Sequence, residues 1–310
     1  MALTTDEINA VARDYIQKGK VTDNFFKGNA LLYRLLKKVK YFDGGTKIRE
    51  VLMNARQNGG AYEGTGPYNT AHKEIHTAAF FNWRKYYTWV SITGDDELTC
   101  NGSAQVVDMI QSKIRNAASS LKDYQGDDMH SASAASGGAL LSILGDLFNS
   151  TTSTKYGDIA EDDMSEWKAN IKDMTGLDFT LTNLKAARRL AKVNEDVPDL
   201  YVTSDAIKDN FEDLLQPSKR YESDEMAKSG FDNVLFGRAP VVGDEKITTA
   251  DMFGFNCKHL NFWVHKDRNY KWEPFRKLFD GDAKGAPLLF AGQWTTPSRR
   301  SHVHIDNIGS

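Results

Sequence analysis

Hydrophobic positions recur with two periods along the chain, and the switches between them mark its elements. In TTDEINAVARDYIQKG, Thr5 stands where a helix N-cap belongs, Ile8, Val11, Ala12 and Tyr15 share a face, and Gly19 stops the pattern. Helical spacing returns in NALLYRLLKKVK through Leu31, Leu32, Leu35, Leu36 and Val39. After Phe42-Asp43-Gly44-Gly45 the texture becomes strand. TKIREVLMN rises toward a glycine-rich stretch, GGAYEGTGPYNT at 59–70, and AAFFNWRKYYTWVSI descends from it. Strand alternation places Phe81, Trp83, Tyr87 and Trp89 on one side of the second run and Asn82, Arg84, Tyr86 and Thr88 on the other. A long helix follows in NGSAQVVDMIQSKIRNAASSLKDYQG, capped by Ser103, with a stripe of Val106, Ile110, Ile114, Ala117 and Leu121 and a stop at Gly126. HSASAASGGALLSILGDLFNSTTST, small and polar apart from an apolar island at Leu140 to Phe148, reads as a connecting loop.

From about residue 160 the pattern is a compact alternation of helix and strand. Helices are expected in MSEWKANIKDM, in TNLKAARRLAKVN and in DAIKDNFEDLL before Pro217, with a strand in DLYVTS after Pro198. FDNVLFGRAPVVGD predicts two short strands about Gly237, and FGFNCKHLNFWVHKD one more, with Leu260, Phe262 and Val264 alternating. The last segment, APLLFAGQWTTPSRRSHVHIDNI, reads as a hairpin turning near Thr296-Pro297-Ser298. It sends Val303 and Ile305 one way and His302 and His304 the other.

The glycine-rich stretch is the place to look for a phosphate-binding loop. Such a loop follows a buried strand, opens a helix and often supplies Lys followed by Ser or Thr. Here Pro67 and YNTAHKE lead into a strand, and no GKS or GKT is present. The stretch is instead the tip of a long two-stranded excursion, where Gly59, Gly60, Gly64 and Gly66 permit bending. A hairpin of this kind is marginal by itself in water, so it must lie on something else, for which another subunit is the expectation.

Composition narrows the classes. Of 310 residues, 40% are hydrophobic and 26% charged, which excludes a disordered chain, and the length allows one large domain or two or three smaller ones. A net charge of -3 argues against coating nucleic acid through bulk positive charge. The basic character is local: Lys18, Lys20, Lys27, Arg34, Lys37, Lys38 and Lys40 face only Asp23 between residues 18 and 40, a charge of +6. This is either the solvated face of a helical arm or a surface that touches phosphate or an acidic partner. Two cysteines, Cys100 and Cys257, make no disulfide framework. MALTTDEINA lacks a signal-peptide pattern and no run is long enough to span a membrane, so a soluble protein made in a cytoplasm is expected.

Catalytic candidates are thin. His302 and His304 share a strand face that suits a metal, but no third ligand is assignable, and a solvent-facing or satisfied pair is the plainer account. Asp95-Asp96-Glu97 and Glu161-Asp162-Asp163 lack the spacing of a calcium loop and read as acidic helix starts. Gly-x-Ser-x-Gly is absent, and Cys100 has no placed histidine. No catalytic, cofactor or metal residue is expected.

The order of these segments resembles the major capsid proteins of tailed bacteriophages, the Hong Kong 97-like fold, over nearly the whole chain. The resemblance rests on the N-terminal helical arm, the long hairpin with its glycine-rich tip and the long helix ahead of the linker with LLSILGDLF. It continues through DLYVTSDAIKDNFEDLL, SKRY, GFDNVLFGRAPVVGDEKI, FGFNCKHLNFWVHKD and AGQWTTPSRRSHVHIDNI. It implies an α+β fold with an arm (1–44), an extended hairpin loop (45–92), a peripheral domain with a spine helix (93–160), an axial domain (161–265) and a return to the peripheral domain (266–310). It implies a non-enzymatic shell subunit that assembles with itself as pentamers and hexamers around double-stranded DNA, in a virion built in a host bacterial cytoplasm. Because the arm begins almost at Met1, a separate scaffolding protein is implied, beside a portal and decoration proteins. The contact residues expected are Gly59, Gly60, Tyr62, Glu63, Gly64, Gly66, Pro67, Tyr68, Phe81, Trp83, Tyr87 and Trp89, with the basic arm facing the interior or the scaffold. Some relatives cross-link a hairpin lysine, but no acceptor or acid stands out beside Lys47, Lys73 or Lys85, and no cross-link is expected. The alternatives are an encapsulin-like compartment holding protein cargo and a soluble enzyme.

Overall fold

A computed structural model describes residues 29–53, 55–64, 66, 68–99, 103–134, 137–151, 155–193, 195–215, 233–278 and 281–309. The helix expected before Gly19, Lys18, Lys20, Lys27, Pro67, Cys100 and the SKRY stretch lie outside these residues.

Two six-stranded sheets and a separate hairpin carry the fold. The first sheet is built around β13 (Ala283–Thr295), whose thirteen residues serve both edges. Along one edge β4 (Arg84–Thr93) pairs antiparallel from Arg84↔Gly292 to Thr93↔Ala283. Along the other lie β10 (Asn261–His265), β11 (Lys271–Trp272) and β12 (Arg276–Lys277). The second sheet runs β5 (Ile171–Asp173), β14 (Val303–Asp306), β9 (Met252–Phe255), β6 (Leu200–Thr203), β8 (Ala239–Gly243) and β7 (Asn233–Phe236). The hairpin pairs β2 (Lys47–Met53) with β3 (His76–Asn82).

Helices cover these sheets by the faces their spacing predicts. α3 (Ser103–Met129) follows the short α2 (Gly94–Thr99) and presses Ile110, Ile114 and Ala117 onto Val90 and Ile92 of β4 and Ala286 of β13. α4 (Leu181–Leu190) and α5 (Asp205–Leu214) bury Leu184, Ala187, Ile207 and Phe211 against Tyr201, Val241, Met252, Val303 and Ile305. Each of the buried Leu, Ile, Val, Met and Phe side chains contributes about 1.5–3 kcal/mol by leaving water, so these stripes hold layers together more than local propensity does. α1 (Ala30–Leu36) starts at Asn29, whose side chain accepts from Leu32 N at 2.7 Å.

Five expectations fail here for identifiable reasons. α1 stops at Leu36, and Val39 begins β1 (Val39–Phe42), which pairs parallel with β10 and so satisfies the backbone that helix would have satisfied. α3 runs past Gly126 to Met129; the glycine serves close approach, since a Cβ there would lie 3.3 Å from the Asn29 amide. The apolar island is no surface loop but a buried π turn, Ile143–Leu147, capped by Ser142 and bonded by Asp146 to Ser142 N. MSEWKANIKDM forms a 3-10 turn at Ser165–Trp167 and then β5, because Ala169 N donates to Glu161 and the Trp167 indole N–H donates to Tyr156 O. The stretches from 252–265 and 283–306 each read as a local unit, but each is split between sheets, with crossings at 256–260 and 296–302. β13 and β14 are therefore no hairpin.

The second crossing is held by polar groups taken out of water. Arg299 is 1% exposed and satisfies all five of its donors: Nε on Leu147 O, Nη1 on Glu161 Oε1 (2.8 Å) and Trp167 O, and Nη2 on Asp146 O and Asn149 O. His302, fully buried, accepts from Asn256 N at Nδ1, which puts its proton on Nε2 facing Thr296 Oγ1 at 3.1 Å. The histidine pair is thus buried, not solvent-facing.

Replacing Arg299 by Met leaves all of these acceptors and the Glu161 charge unmatched, and should cost on the order of 3–5 kcal/mol in denaturant unfolding. Burial also pushes the His302 imidazole down to about 3. The unfolded chain takes up this proton below about pH 6.5 and the folded chain does not, so stability falls as pH drops from about 6.5 toward 3. Denaturation midpoints measured between neutral pH and pH 4.5 should decline less steeply in His302→Asn than in the parent.

Candidate inter-subunit surface

The hairpin that sequence reasoning assigned to another subunit is, at its root, held by its own chain. Strict alternation in KIREVLM turns Ile48, Glu50 and Leu52 inward. Glu50, nearly buried, accepts from Asn261 Nδ2 (3.0 Å), Trp263 Nε1 (2.7 Å) and Thr295 Oγ1 (2.6 Å), which ties β2 to β10 and the end of β13. On β3, Ala79 and Phe81 pack against Gly157, where a Cβ would lie 2.8 Å from Ala79 and 2.9 Å from Phe81. Phe80 N donates to Gly157 O, and Lys47 pairs with Asp158 at 2.6 Å.

The opposite face of the same hairpin, which also carries Lys47, Arg49, His76 and Asn82, holds an uncovered apolar strip. Val51 is 58% and Met53 70% exposed, and Phe80 is exposed on the partner strand. Sequence reasoning omitted these three, although the period-two pattern of KIREVLM contains the signal. Among the described residues no strand pairing continues beyond Met53↔His76. Residues 55–75 carry exposed Gly59, Gly60, Tyr62, Glu63, Gly64 and Tyr68, with half-exposed Gly66. Gly64 takes φ +54 and Gly66 N closes a turn on Glu63 O, while Tyr62 and Tyr68 meet edge to face at 5.0 Å. No helix follows this tip, so it lacks the geometry of a phosphate loop.

The predicted aromatic face does not survive as one face. Strand pairing breaks at Trp83, where β3 leaves β2 and β4 joins β13, and the inward parity changes from odd to even residues. Phe81 is therefore core, 5.2 Å from the Tyr156 ring, while Tyr86 and Thr88 turn inward. Tyr87 (71% exposed) and Trp89 (47%) face outward. Trp83 lies between, stacked on Phe42 and donating to Gly45 O. Trp83, Tyr87, His265, Arg268 and Lys271 line a groove of ≈ 1190 Å³ at the hairpin root.

The described part of the basic segment is docked, not free. Lys38 donates to Cys257 O, Lys37 lies over the Tyr33 ring and Lys40 over Trp263 at 5.0 Å, with Arg34 in the last turn of α1. A second basic group that sequence reasoning passed over, Lys185, Arg188, Arg189 and Lys192, lines one cleft along α4, legible in the spacing of LKAARRLAK. Arg188 is already engaged by Gly237 O and the Phe236 ring. The acidic runs have local roles. Asp96 and Thr93 bond each other's backbone at the start of α2, Lys113 joins Asp96 at 2.6 Å, and this ion pair and Thr93 N hold the carboxyl down at about 2. Glu161 belongs to Arg299. Cys257 is a buried free thiol, pushed up from the usual range by burial and by Asp199.

No helix among the described residues is long and apolar enough to cross a membrane. No family model matches the chain, and none of the curated proteins matches it. Solved structures match it over almost its full length. The capsid asymmetric unit of cyanophage A-1(L) aligns with a TM-score of 0.68 at 17% identity, covering 93% of this chain and 95% of that chain. The capsid of a native GTA particle aligns at 0.57 and 7%, covering 93% and 94%. The SrpI encapsulin of Synechococcus elongatus aligns at 0.55 and 10%, covering 99% and 96%. An α+β chain with two sheets, a spine-like α3 and a projecting hairpin, superposing on these shells from end to end, has the Hong Kong 97-like fold.

Proposed function

We propose that this chain is a major capsid protein that assembles with itself, as pentamers and hexamers, into an icosahedral shell enclosing the double-stranded DNA of a tailed phage. The observation that carries the reading is likeness over 93% of the chain to a cyanophage capsid asymmetric unit, joined to a hairpin whose outer face carries an uncovered apolar strip of Val51, Met53 and Phe80. An apolar strip on a projecting two-stranded ribbon is the surface that copies of one chain bury against each other. On this reading residues 1–44 are an arm, the first sheet with α3 is the peripheral domain and the second sheet with α4 and α5 the axial domain, so the bounds expected from sequence (45–92, 93–160, 161–265, 266–310) shift: the extended loop is β2, β3 and the tip between them, β4 and β10 go with the peripheral sheet, and β14 goes with the axial one. Val51, Met53, Phe80, Tyr87, Trp89 and the 59–70 tip meet neighbouring subunits. The basic arm contacts packaged DNA without sequence preference, or a separate scaffolding protein, since neutralising phosphates needs only local lysines. Portal and decoration proteins complete the partners. The location is the virion, with assembly in the host cytoplasm, and the chain performs no catalysis.

The likeness to SrpI supports a second reading, a compartment of the same fold holding protein cargo. Particle contents separate the two, nuclease-protected DNA for the first and a co-purifying protein for the second.

Light scattering behind size exclusion, with negative-stain microscopy, should find closed shells or capsomer rings when the chain is expressed with and without its neighbouring genes. A monomer of 34.7 kDa under every condition would overturn the proposal. The double variant Val51→Asp, Met53→Asp should shift material from shells to small oligomers while its circular dichroism stays that of the parent. Unchanged assembly would remove the outer hairpin face from the interface. Deleting 57–70 should impair assembly by the same assay.

A further inference from the structure

Strand alternation puts His304 beside His302 and finds no third ligand, but the second sheet supplies two. β9 and β14 pair antiparallel with Ile305 opposite Met252 and His304 opposite Phe253. One step along the same register sets Asp306 across from Asp251, the residue before β9. His304 and Asp306, two apart on β14, share a face. One ligand atom from each of Asp251, His304 and Asp306 lies within 4.8 Å of the others.

Two features make this more than a chance cluster. The His304 ring is 5% exposed on its residue and is fixed by stacking on Phe253, centroids 4.8 Å apart and 16° from parallel, with Phe148 5.5 Å away. Its buried Nε2 has no hydrogen-bond partner among the described residues and sits 3.6 Å from Asp251 Oδ2, too long for a bond. A buried imidazole nitrogen without a hydrogen-bond partner converging with two carboxyls is the arrangement in which a cation's ligands are already gathered. A cavity of ≈ 450 Å³, bordered by Ala132, Gly145, Asn149 and Ser150, opens onto all three residues and admits ions and water.

We propose that Asp251, His304 and Asp306 bind one divalent first-row cation, Mn²⁺ or Zn²⁺, with water from the adjoining cavity completing its coordination. One imidazole and two carboxylates suit these ions better than Ca²⁺ or Mg²⁺, which favour oxygen alone. The ion cross-links β9 to β14 at the end of the ladder and so braces the second sheet; it has no bearing on whether the chain builds a shell.

The test uses the full chain, stripped with EDTA and desalted, and titrated with MnCl₂ while electron paramagnetic resonance counts the free ion. One Mn²⁺ should bind per chain, be displaced by ZnCl₂ and raise the thermal midpoint, whereas MgCl₂ should do neither. Asp306→Asn keeps the size and shape of the side chain at a partly exposed position. It should fold as the parent does without metal and bind Mn²⁺ at least about 10-fold more weakly, the loss that even an outer-shell change produces. If His304→Ala fails to fold, Asp306→Asn alone decides. Absence of saturable Mn²⁺ and Zn²⁺ binding in the parent, or equal binding in Asp306→Asn, would overturn the proposal.

Discussion

A guanidinium taken wholly out of water holds the centre of this molecule. Arg299 stands where the chain passes from the first sheet to the second, and its donors reach the π turn, the segment behind it, the Ser165–Trp167 turn and Glu161. None of those acceptors belongs to a strand ladder or an ordinary helix, so none has a partner built in by local structure. Burying an ion pair is expensive unless every lone pair and proton is used, and here every donor is. The benefit is positional: three irregular segments can meet only in the one arrangement that satisfies the cation. His302, neutral and bonded through both ring nitrogens, fixes the same crossing from the other side.

That arrangement determines what the hairpin can do. The 155–159 turn, close to the Arg299 site through Tyr156, receives Ala79 and Phe81, while Glu50 anchors the opposite strand on β10 and β13. The ribbon's inner face is thereby spent on its own chain, and Val51, Met53 and Phe80 are left exposed. On the proposed reading, this anchored root, glycine-rich tip and uncovered strip are what neighbouring copies would meet. The glycines at the tip bend without strain, and the apolar strip supplies contact area that a lone ribbon cannot bury by itself.

Elements whose signal is local were legible. The stripe of α3, the alternation of β2, the helices over 181–190 and 205–214 and the strands about Gly237 all follow from side-chain period, since each buries one face against a layer. Where legibility failed, long-range partners had overruled local pattern. Val39 extends a leucine stripe, yet it pairs with Phe262. Trp83 continues an alternation, yet the strand changes partners there and Phe81 and Tyr87 end on opposite sides. The candidate contact surface was half visible for this reason: Tyr62, Tyr68, Tyr87 and Trp89 are exposed, Phe81 is core, and Val51, Met53 and Phe80 went unnoticed within two strands correctly assigned.

The sequence by itself determined the order of the elements, the faces their helices and strands bury, the location of a flexible glycine-rich tip and the resemblance to a shell-building fold, because periodicity and turn chemistry act over a few residues. Tertiary structure alone decided that 252–265 and 283–306 are divided between two sheets, that Arg299 finds Glu161 across 138 positions, and that Asp251 meets His304 and Asp306. Those outcomes turn on which distant groups can satisfy buried backbone and charge at once, and that choice is made by the whole chain when water is excluded, not by any stretch of it.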